Sequence, residues 1–406
     1  MTRHYTTRDF FRQMPNALLK RYFEERGLFG ELDFSAMKEG KPDALFDAWL
    51  SLPEDQRHTM DAELRDIFEM SCEKGFHAIV DETRWQWRRE PEARDALIEK
   101  LSALPSHHHR AMVTYLDHGD FWRGATRFYH ADSLSYWRKR KHMGHNPAAV
   151  DKASLDQLAA QIRTYFRTTE GRGNNCIVEA FRRDERDYFF AYPEDYSQQS
   201  IEWVDGEFDR RPHNPAFEVV FVYTQKDGTL DLNYRGTKKA VEPLQGMFAT
   251  TILKLDELPP DPKDERVYDL NPLAQASFDF SFAVGSGIEN VVVKKLRLSS
   301  RAHRGDRITL EADAAHDPNA VYALLEKVRP SLPLHTYNVT QVELTASVVT
   351  DPDKPARTVT IRITHPNSCS LKYDEMDLKL RQMLEASGIE PREADTDEAS
   401  VTTTEA

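Results

Sequence analysis

The sequence is poor in cysteine and has no long apolar run. Its three cysteines, Cys72, Cys176 and Cys369, are far apart and form no Cys-x-x-Cys pair. This spacing argues against a zinc ribbon, a redox dithiol or a disulfide framework, and it favours a reducing compartment. The chain shows no apolar stretch typical of a signal peptide, and nothing approaches the ~18 consecutive apolar residues of a membrane-spanning helix. We therefore expect a cytoplasmic protein without membrane segments.

Several motifs of enzyme chemistry are also missing. The Gly171-Arg-Gly173 segment precedes a predicted strand instead of opening a helix, and no Gly-Lys-Ser/Thr follows a glycine-rich turn. Both a nucleotide-binding P-loop and a dinucleotide fingerprint are therefore unsupported. There is no Gly-x-Ser-x-Gly elbow of a serine hydrolase and no His-Glu-x-x-His zinc pair. We expect no cofactor and no metal.

The chain is acidic, with a net charge of −13. This balance argues against a protein whose whole surface is built for a polyanion. Part of the charge is concentrated from Glu390 onward, where six acids stand against one arginine. Because this stretch has few apolar side chains to bury, we predict a disordered acidic tail over residues 391–406.

Apolar side chains recur at helical spacing in the first part of the chain. In one example, Leu18, Leu19, Tyr22 and Phe23 share a stripe, as expected for an amphipathic helix. Similar stripes follow, so residues 1–150 are predicted to form a helical N-terminal domain.

Strand patterns replace the helical ones further along the chain. Aromatic and β-branched runs predict a mixed α/β domain with a mainly antiparallel sheet over residues 151–257. Within it, Asp227-Gly228 separates two strand-like runs and supplies the positive φ angles of a tight hairpin. The proline-rich, charged residues 258–272 are predicted to be a linker.

The last part of the chain alternates between strands and helices. Two stretches near residues 342–348 and 359–363 alternate apolar and polar residues, which is typical of strands with one buried face. With the helical patterns beside them, residues 273–390 are predicted to form a C-terminal α+β domain, a ββαββα sandwich. The fold class is thus α+β and multi-domain.

One segment combines cations with aromatic rings. It contains Tyr136, Trp137, Arg138, Lys139, Arg140 and Lys141. Cations release counterions from a nucleic-acid backbone, and aromatic rings stack on unpaired bases, so these six residues form a candidate nucleic-acid site. The alternative is a solvated face whose partners are this protein's own acids.

A second candidate surface lies between residues 188 and 215. Aromatic residues, acids and arginines are gathered there around a backbone expected to be irregular, and Tyr, Trp and Arg dominate binding hot spots. The candidate binding residues are Tyr192, Trp203, Arg210 and Arg211. The alternative is the rim of a sheet core.

Three catalytic or metal hypotheses have weaker support. The histidines near residues 107–145 have no metal-ligand spacing, because neighbouring residues of a helix point about 100° apart. Cys369 with His365 matches no protease signature. Glu218 and Asp231 flank the predicted hairpin as a candidate Mg²⁺ site, although no Glu-x-Lys pattern accompanies them.

These patterns favour a non-enzymatic binding or adaptor protein that works with a protein or nucleic-acid partner. The alternative is a metal-dependent enzyme acting on nucleic acid or a phosphorylated substrate. The two differ in geometry, since an enzyme brings acids, or a cysteine and a histidine, together in a pocket, whereas an adaptor presents a broad patch. The sequence leaves the catalytic residues and the oligomeric state open.

Overall fold

The computed structural model describes residues 4–204, 206–260, 267–303, 305–314, 317–331, 333–349 and 355–390. The chain forms two compact units, Met1–Ser133 and Leu134–Ala406. The predicted acidic tail lies outside the described residues, as do residues 261–266 of the predicted linker. The α+β class is confirmed, with a helical N-terminal region and a large antiparallel sheet in the rest of the chain.

The first unit is helical. The helices of its described residues are α1 (Thr7–Gln13), α2 (Asn16–Glu24), α3 (Asp43–Leu50), α4 (Glu54–Met70), α5 (Glu73–Gln86), α6 (Pro91–Ser102), α7 (His107–Asp117) and α8 (Gly119–Ala131). Its core is rich in aromatic rings. Phe11 packs edge to face against Phe23, with ring centres 5.9 Å apart, and against Trp49 at 5.7 Å.

Helices α5 and α8 approach closely where Gly124 faces Glu82. A Cβ atom at position 124 would lie 2.3 Å from the Glu82 carboxyl group, so a side chain there would displace this carboxyl. Glu82 is 1% exposed. Its Oε1 accepts a hydrogen bond from Gln86 at 2.7 Å, whereas Oε2 has no hydrogen-bond partner among the described residues. Burial raises the pKa of this carboxyl above its usual value.

The second unit contains all the strands that the structure describes. They are β1 (Trp137–Arg140), β2 (Cys176–Arg183), β3 (Arg186–Pro193), β4 (Gln198–Val204), β5 (Glu207–His213), β6 (Val219–Thr224), β7 (Thr229–Tyr234), β8 (Ile288–Ser300), β9 (Arg307–Glu311), β10 (Tyr337–Val348), β11 (Arg357–Thr364) and β12 (Ser368–Cys369). Its helices are α9 (Lys152–Thr169), α10 (Val241–Thr251), α11 (Ala320–Val328) and α12 (Glu375–Ala386).

Ten of these strands form one sheet with the order β2-β3-β6-β7-β1-β12-β11-β10-β8-β9, and every pair of neighbours is antiparallel. The other two, β4 and β5, form a separate two-stranded ribbon. The predicted hairpin is present, since Gly228 has φ of 58° between β6 and β7. A single sheet thus includes strands from both regions in which the sequence predicts them, residues 151–257 and 273–390.

Two groups of buried apolar side chains pack on this sheet. One includes Phe248 of α10, whose ring lies 5.0 Å from the rings of Phe189 on β3 and Phe221 on β6. The other includes Leu380 of α12 together with Ile363 of β11. Helices therefore cover the sheet at both ends of its strand order.

The helices have the lengths of ordinary globular domains, and the longest described one, α9, has 18 residues. None of the helices in the described ranges is both long and apolar enough to cross a bilayer.

The buried carboxyl of Glu82 gives a prediction on stability and pH. A folded-state pKa above the unfolded value means that the folded protein favours the protonated acid, so stability falls as pH rises past the usual value of about 4.5. We expect Glu82→Gln to raise the free energy of unfolding at pH 7.5 and to lose this advantage near pH 4. Urea denaturation at both pH values measures the difference in free energy of unfolding between the variant and the wild-type protein. A difference that is the same at both pH values would contradict a raised pKa of Glu82.

Candidate functional site

Strand β1 contains Trp137 to Arg140 of the predicted basic segment and divides them between the two faces of the sheet. Because successive side chains of a strand alternate, Trp137 and Lys139 share one face while Arg138 and Arg140 share the other. In the register of the sheet, Lys139 lies opposite Asp231 of β7. The cations that are consecutive in sequence are therefore not on one surface.

Burial removes part of this run from the surface. Arg140 is 6% exposed, and its guanidinium donates hydrogen bonds to Oε1 of Gln245 at 3.2 Å and to the carbonyl of Pro259 at 2.6 Å. Lys141, which follows the end of β1, is half-buried. Arg140 thus connects β1 to helix α10 and to the segment that follows it.

On the opposite face, Lys139 lies between two carboxylates. Its side chain is 12% exposed, and its Nζ is 2.5 Å from Oε1 of Glu390 and 3.9 Å from Oδ2 of Asp231. Both acids are buried. Burial by itself lowers the pKa of a lysine, but Glu390 and Asp231 outweigh it and raise the pKa of Lys139 above its usual value. The ammonium group is therefore charged in the interior.

Tyr373 and Arg381 complete this buried cluster. The hydroxyl of Tyr373 donates to Oδ2 of Asp231, and burial, together with that carboxylate, raises the pKa of Tyr373 well above its usual value. Arg381 donates to the carbonyls of Leu371 at 2.7 Å and Lys372 at 3.1 Å, and its guanidinium lies 4.6 Å from the centre of the Tyr373 ring. Trp137, 1% exposed, packs against the same ring at 5.1 Å.

The cluster balances two cations, Lys139 and Arg381, with two carboxylates, Asp231 and Glu390. Its lysine is protonated and its tyrosine Tyr373 is neutral, so neither provides a base. A buried, charge-matched group of this kind is typical of a structural ion-pair network. The cluster connects β1, β7 and α12 and stabilises their packing.

The register separates the two acids of the hypothetical Mg²⁺ site. Asp231 lies opposite Val222 of β6, and Glu218 precedes Val222 by four residues. At about 3.3 Å per residue, the two acids are roughly 13 Å apart, too far to bind one ion together. In the part of the chain that the structure describes, no group of three or more His, Cys, Asp and Glu residues is placed to hold a metal ion.

The cysteine hypothesis has no support from the geometry of Cys369. This residue is fully buried in β12, and burial raises the pKa of its thiol. A buried, protonated thiol is inert compared with a catalytic one. All three cysteines are free thiols.

The face of β1 that carries Arg138 borders a concave surface. A pocket of about 570 Å³ is lined by Ser135, Tyr136, Arg138, Asn233, Arg235 and Ser368, among others. Arg138 is half-buried, and Arg235 is exposed. Neither guanidinium forms an ion pair or a hydrogen bond with another described residue. We call this concavity the arginine pocket.

Tyr136 lies at the edge of the arginine pocket. It is 52% exposed and has φ of 65°, a left-handed conformation that is uncommon for a bulky residue. Its hydroxyl accepts a hydrogen bond from Arg362 at 3.4 Å, and Arg362 is paired with Glu343 at 2.8 Å. The ring is therefore held in place while much of its surface stays open to solvent.

The ribbon of β4 and β5 is the most exposed part of the candidate surface between residues 188 and 215. Ile201 is 63%, Trp203 68% and Phe208 57% exposed. Ile201 lies opposite Arg210, and Trp203 lies opposite Phe208. Residues two apart in a strand, and residues directly opposite in a pair, share a face. These four side chains therefore form one apolar face that includes a cation.

The other face of the ribbon is polar. Glu202 lies opposite Asp209, and Ser200 lies opposite Arg211. Arg211 is paired with Asp209 at 3.0 Å, so its charge is satisfied within the ribbon. The predicted site residues Trp203 and Arg210 lie on the apolar face, and Arg211 lies on the polar one.

The base of the ribbon is closed by main-chain hydrogen bonds. The amide of Asp195 donates to the carbonyl of Pro215 at 2.7 Å, and the amide of Phe217 donates to the carbonyl of Pro193 at 2.9 Å. Tyr192, at the end of β3, is half-buried and lines a smaller cavity of about 290 Å³ at this base. The segment between β3 and β6, expected from sequence to be irregular, is a regular two-stranded antiparallel ribbon.

Sequence reasoning missed the residues that come from distant parts of the chain. Arg235 and Ser368 of the arginine pocket, and Glu390 of the buried cluster, show no local signal. The pairing of β7 and β12 with β1 brings Arg235 and Ser368 to it, and Glu390, which follows α12, meets β1 through Lys139. Comparison with known proteins found no family model that matches the chain, and no curated protein matches it.

The buried cluster gives a prediction on stability. Breaking a buried ion pair leaves an uncompensated charge and costs about 3 to 5 kcal/mol. We expect Lys139→Met to lower the free energy of unfolding by about this amount, because it leaves two carboxylates unpaired, and Glu390→Gln to cost less, because Asp231 remains beside Lys139. Urea denaturation measures both.

The double variant is the matched control. Lys139→Met combined with Glu390→Leu removes one cation and one carboxylate, so the charges of the cluster stay matched. We therefore expect this variant to recover most of the stability that Lys139→Met loses. Single variants within about 1 kcal/mol of the wild-type protein would show that the cluster does not hold the sheet together.

Proposed function

We propose that the chain is a binding or adaptor protein, without a catalytic step of its own, that binds a partner protein through the β4–β5 ribbon. The observation that carries this proposal is the exposed apolar face of Ile201, Trp203 and Phe208. Burying a side chain of this size is worth about 1.5 to 3 kcal/mol, and tryptophan is among the most frequent hot-spot residues of interfaces.

The shape and charge of the ribbon define the kind of partner. Neither β4 nor β5 pairs with a third strand among the described residues, so each has a main-chain edge to which an extended segment could be added. Arg210 adds a positive charge to the apolar face. We propose a partner protein with an apolar cleft bordered by carboxylates.

The alternative of a metal-dependent enzyme has less support. The buried acids Asp231 and Glu390 both pair with Lys139. Their arrangement fits stabilisation better than catalysis, whereas the ribbon is the broad patch expected of an adaptor. We also propose a cytoplasmic location, which the three free thiols support.

The proposal predicts that partner affinity depends on the apolar face. In the variant Ile201→Thr with Trp203→Thr and Phe208→Thr, threonine keeps the strand propensity. We expect the free energy of unfolding to change by no more than about 0.5 kcal/mol, because the replaced side chains are exposed. Affinity for a partner protein purified separately should fall about 100-fold, as measured by calorimetric titration.

Glu202→Gln, on the polar face, is the matched control and should leave affinity within about twofold of wild type. Equal affinity of the triple variant and the wild-type protein would contradict the proposal. The proposal would also be contradicted if the wild-type protein self-associated in sedimentation, or bound lipid vesicles, and the triple variant did not. Either result would assign the apolar face to a different occupant.

A further inference from the structure

We infer that the arginine pocket binds a nucleoside phosphate, with the phosphate on Arg138 and Arg235 and the base against the ring of Tyr136. The ligand is either a free nucleotide or one unit of a single-stranded nucleic acid, which share this chemistry. The inference concerns a different surface from the ribbon and does not depend on the function proposed for it.

The electrostatics of the pocket favour an anion. Two other arginines of the same unit are paired with carboxylates: Arg172 with Glu170 at 2.7 Å, and Arg362 with Glu343 at 2.8 Å. Arg138 and Arg235 line one concavity without such a partner among the described residues, although the chain has 67 acids. Like charges close together repel each other, and a bound anion removes that repulsion.

The donors of the pocket suit phosphate. A guanidinium presents parallel N–H groups that match two phosphate oxygens, which makes arginine the preferred residue for this recognition. The hydroxyl groups of Ser135 and Ser368 add donors on the lining. The Asn233 amide donates to the carbonyl of Ser135 at 2.8 Å and holds the segment before β1 against β7. The wall of the pocket is therefore formed before a ligand arrives.

Tyr136 provides the second part of the site. Its left-handed backbone and the hydrogen bond from Arg362 fix a half-exposed ring at the edge of the pocket. Residues held in such uncommon conformations often occur at ligand sites. Stacking of a base on an aromatic ring is worth about 1 to 3 kcal/mol and tolerates any base. We therefore expect little preference for sequence.

Gly236 lies close against the ring of Tyr234 in the lining of the pocket. A Cβ atom at Gly236 would lie 1.9 Å from the hydroxyl of Tyr234, another lining residue, so a side chain cannot be added without moving that ring. The volume of about 570 Å³ lies within the range of small-molecule sites. It accommodates one nucleotide unit better than a folded duplex.

Binding to the full chain tests the inference. The probes are a fluorescein-labelled single-stranded oligothymidine of about 12 nucleotides, read by fluorescence polarisation, and thymidine monophosphate and inorganic phosphate, used as competitors. The variants are Arg138→Gln with Arg235→Gln, Arg235→Gln alone and Tyr136→Asn. Asparagine is chosen because it tolerates a positive φ. Arg235 is exposed, so its single variant is expected to fold even where the double variant does not.

The double arginine variant is expected to weaken oligonucleotide binding about 100-fold, and Tyr136→Asn about tenfold. The dependence of affinity on salt between about 50 and 200 mM should fall by a slope of about two in the double variant. A matched control, Arg163→Gln with Arg167→Gln on α9, makes the same change in net charge and should bind like wild type. Competition by the monophosphate at similar affinity identifies a free nucleotide as the ligand, and its failure identifies a strand.

Three results would overturn the inference. The first is that the wild-type protein binds neither nucleotide probe at concentrations up to about 1 mM, which corresponds to about −4 kcal/mol of binding free energy. The second is equal weakening by the pocket variants and by the α9 control, which would mean non-specific attraction. The third is competition by inorganic phosphate as strong as by the monophosphate, with no effect of Tyr136→Asn, which would exclude recognition of a base.

Discussion

The interaction on which the second unit depends is the placement of one lysine ammonium between two buried carboxylates. Strand β1 has four residues and β12 has two, yet these strands join the two halves of a ten-stranded sheet. So short a ladder supplies few main-chain hydrogen bonds. Lys139 adds its contacts with Glu390 and Asp231, and Tyr373 adds a bond to Asp231. The charges inside this protein therefore compensate for the shortness of its central strand.

Local sequence patterns predicted the elements whose conformation depends mainly on their own residues. The hairpin at Gly228 follows from its dipeptide, because the required φ angles are those that glycine allows. The alternation along β10 and β11 predicted two strands with one buried face, and their register pairs Val342 with Ile363 and Leu344 with Ile361. The helical N-terminal region was equally predictable from the sequence, because its amphipathic stripes cover many helical turns.

The sites were less predictable because strand pairing brings them together from far along the chain. Lys139 and Glu390 are separated by 251 residues, and Asp231 and Tyr373 by 142. A run of four cations has no apolar alternation, so β1 was not foreseen as a strand within a region predicted to be helical. Knowing that it is a strand, one could have divided its side chains between two faces. Which partners meet each face depends on a register that no local signal specifies.

The closed base of the ribbon has an evolutionary consequence. Because main-chain bonds between residues 193–195 and 215–217 already join β3 to β6, the sheet is complete without the residues beyond them. Insertions, deletions and substitutions in the ribbon would then be nearly neutral for folding. Selection could exchange one recognition module for another there while the rest of the molecule stays constant, so related chains should diverge fastest at this hairpin.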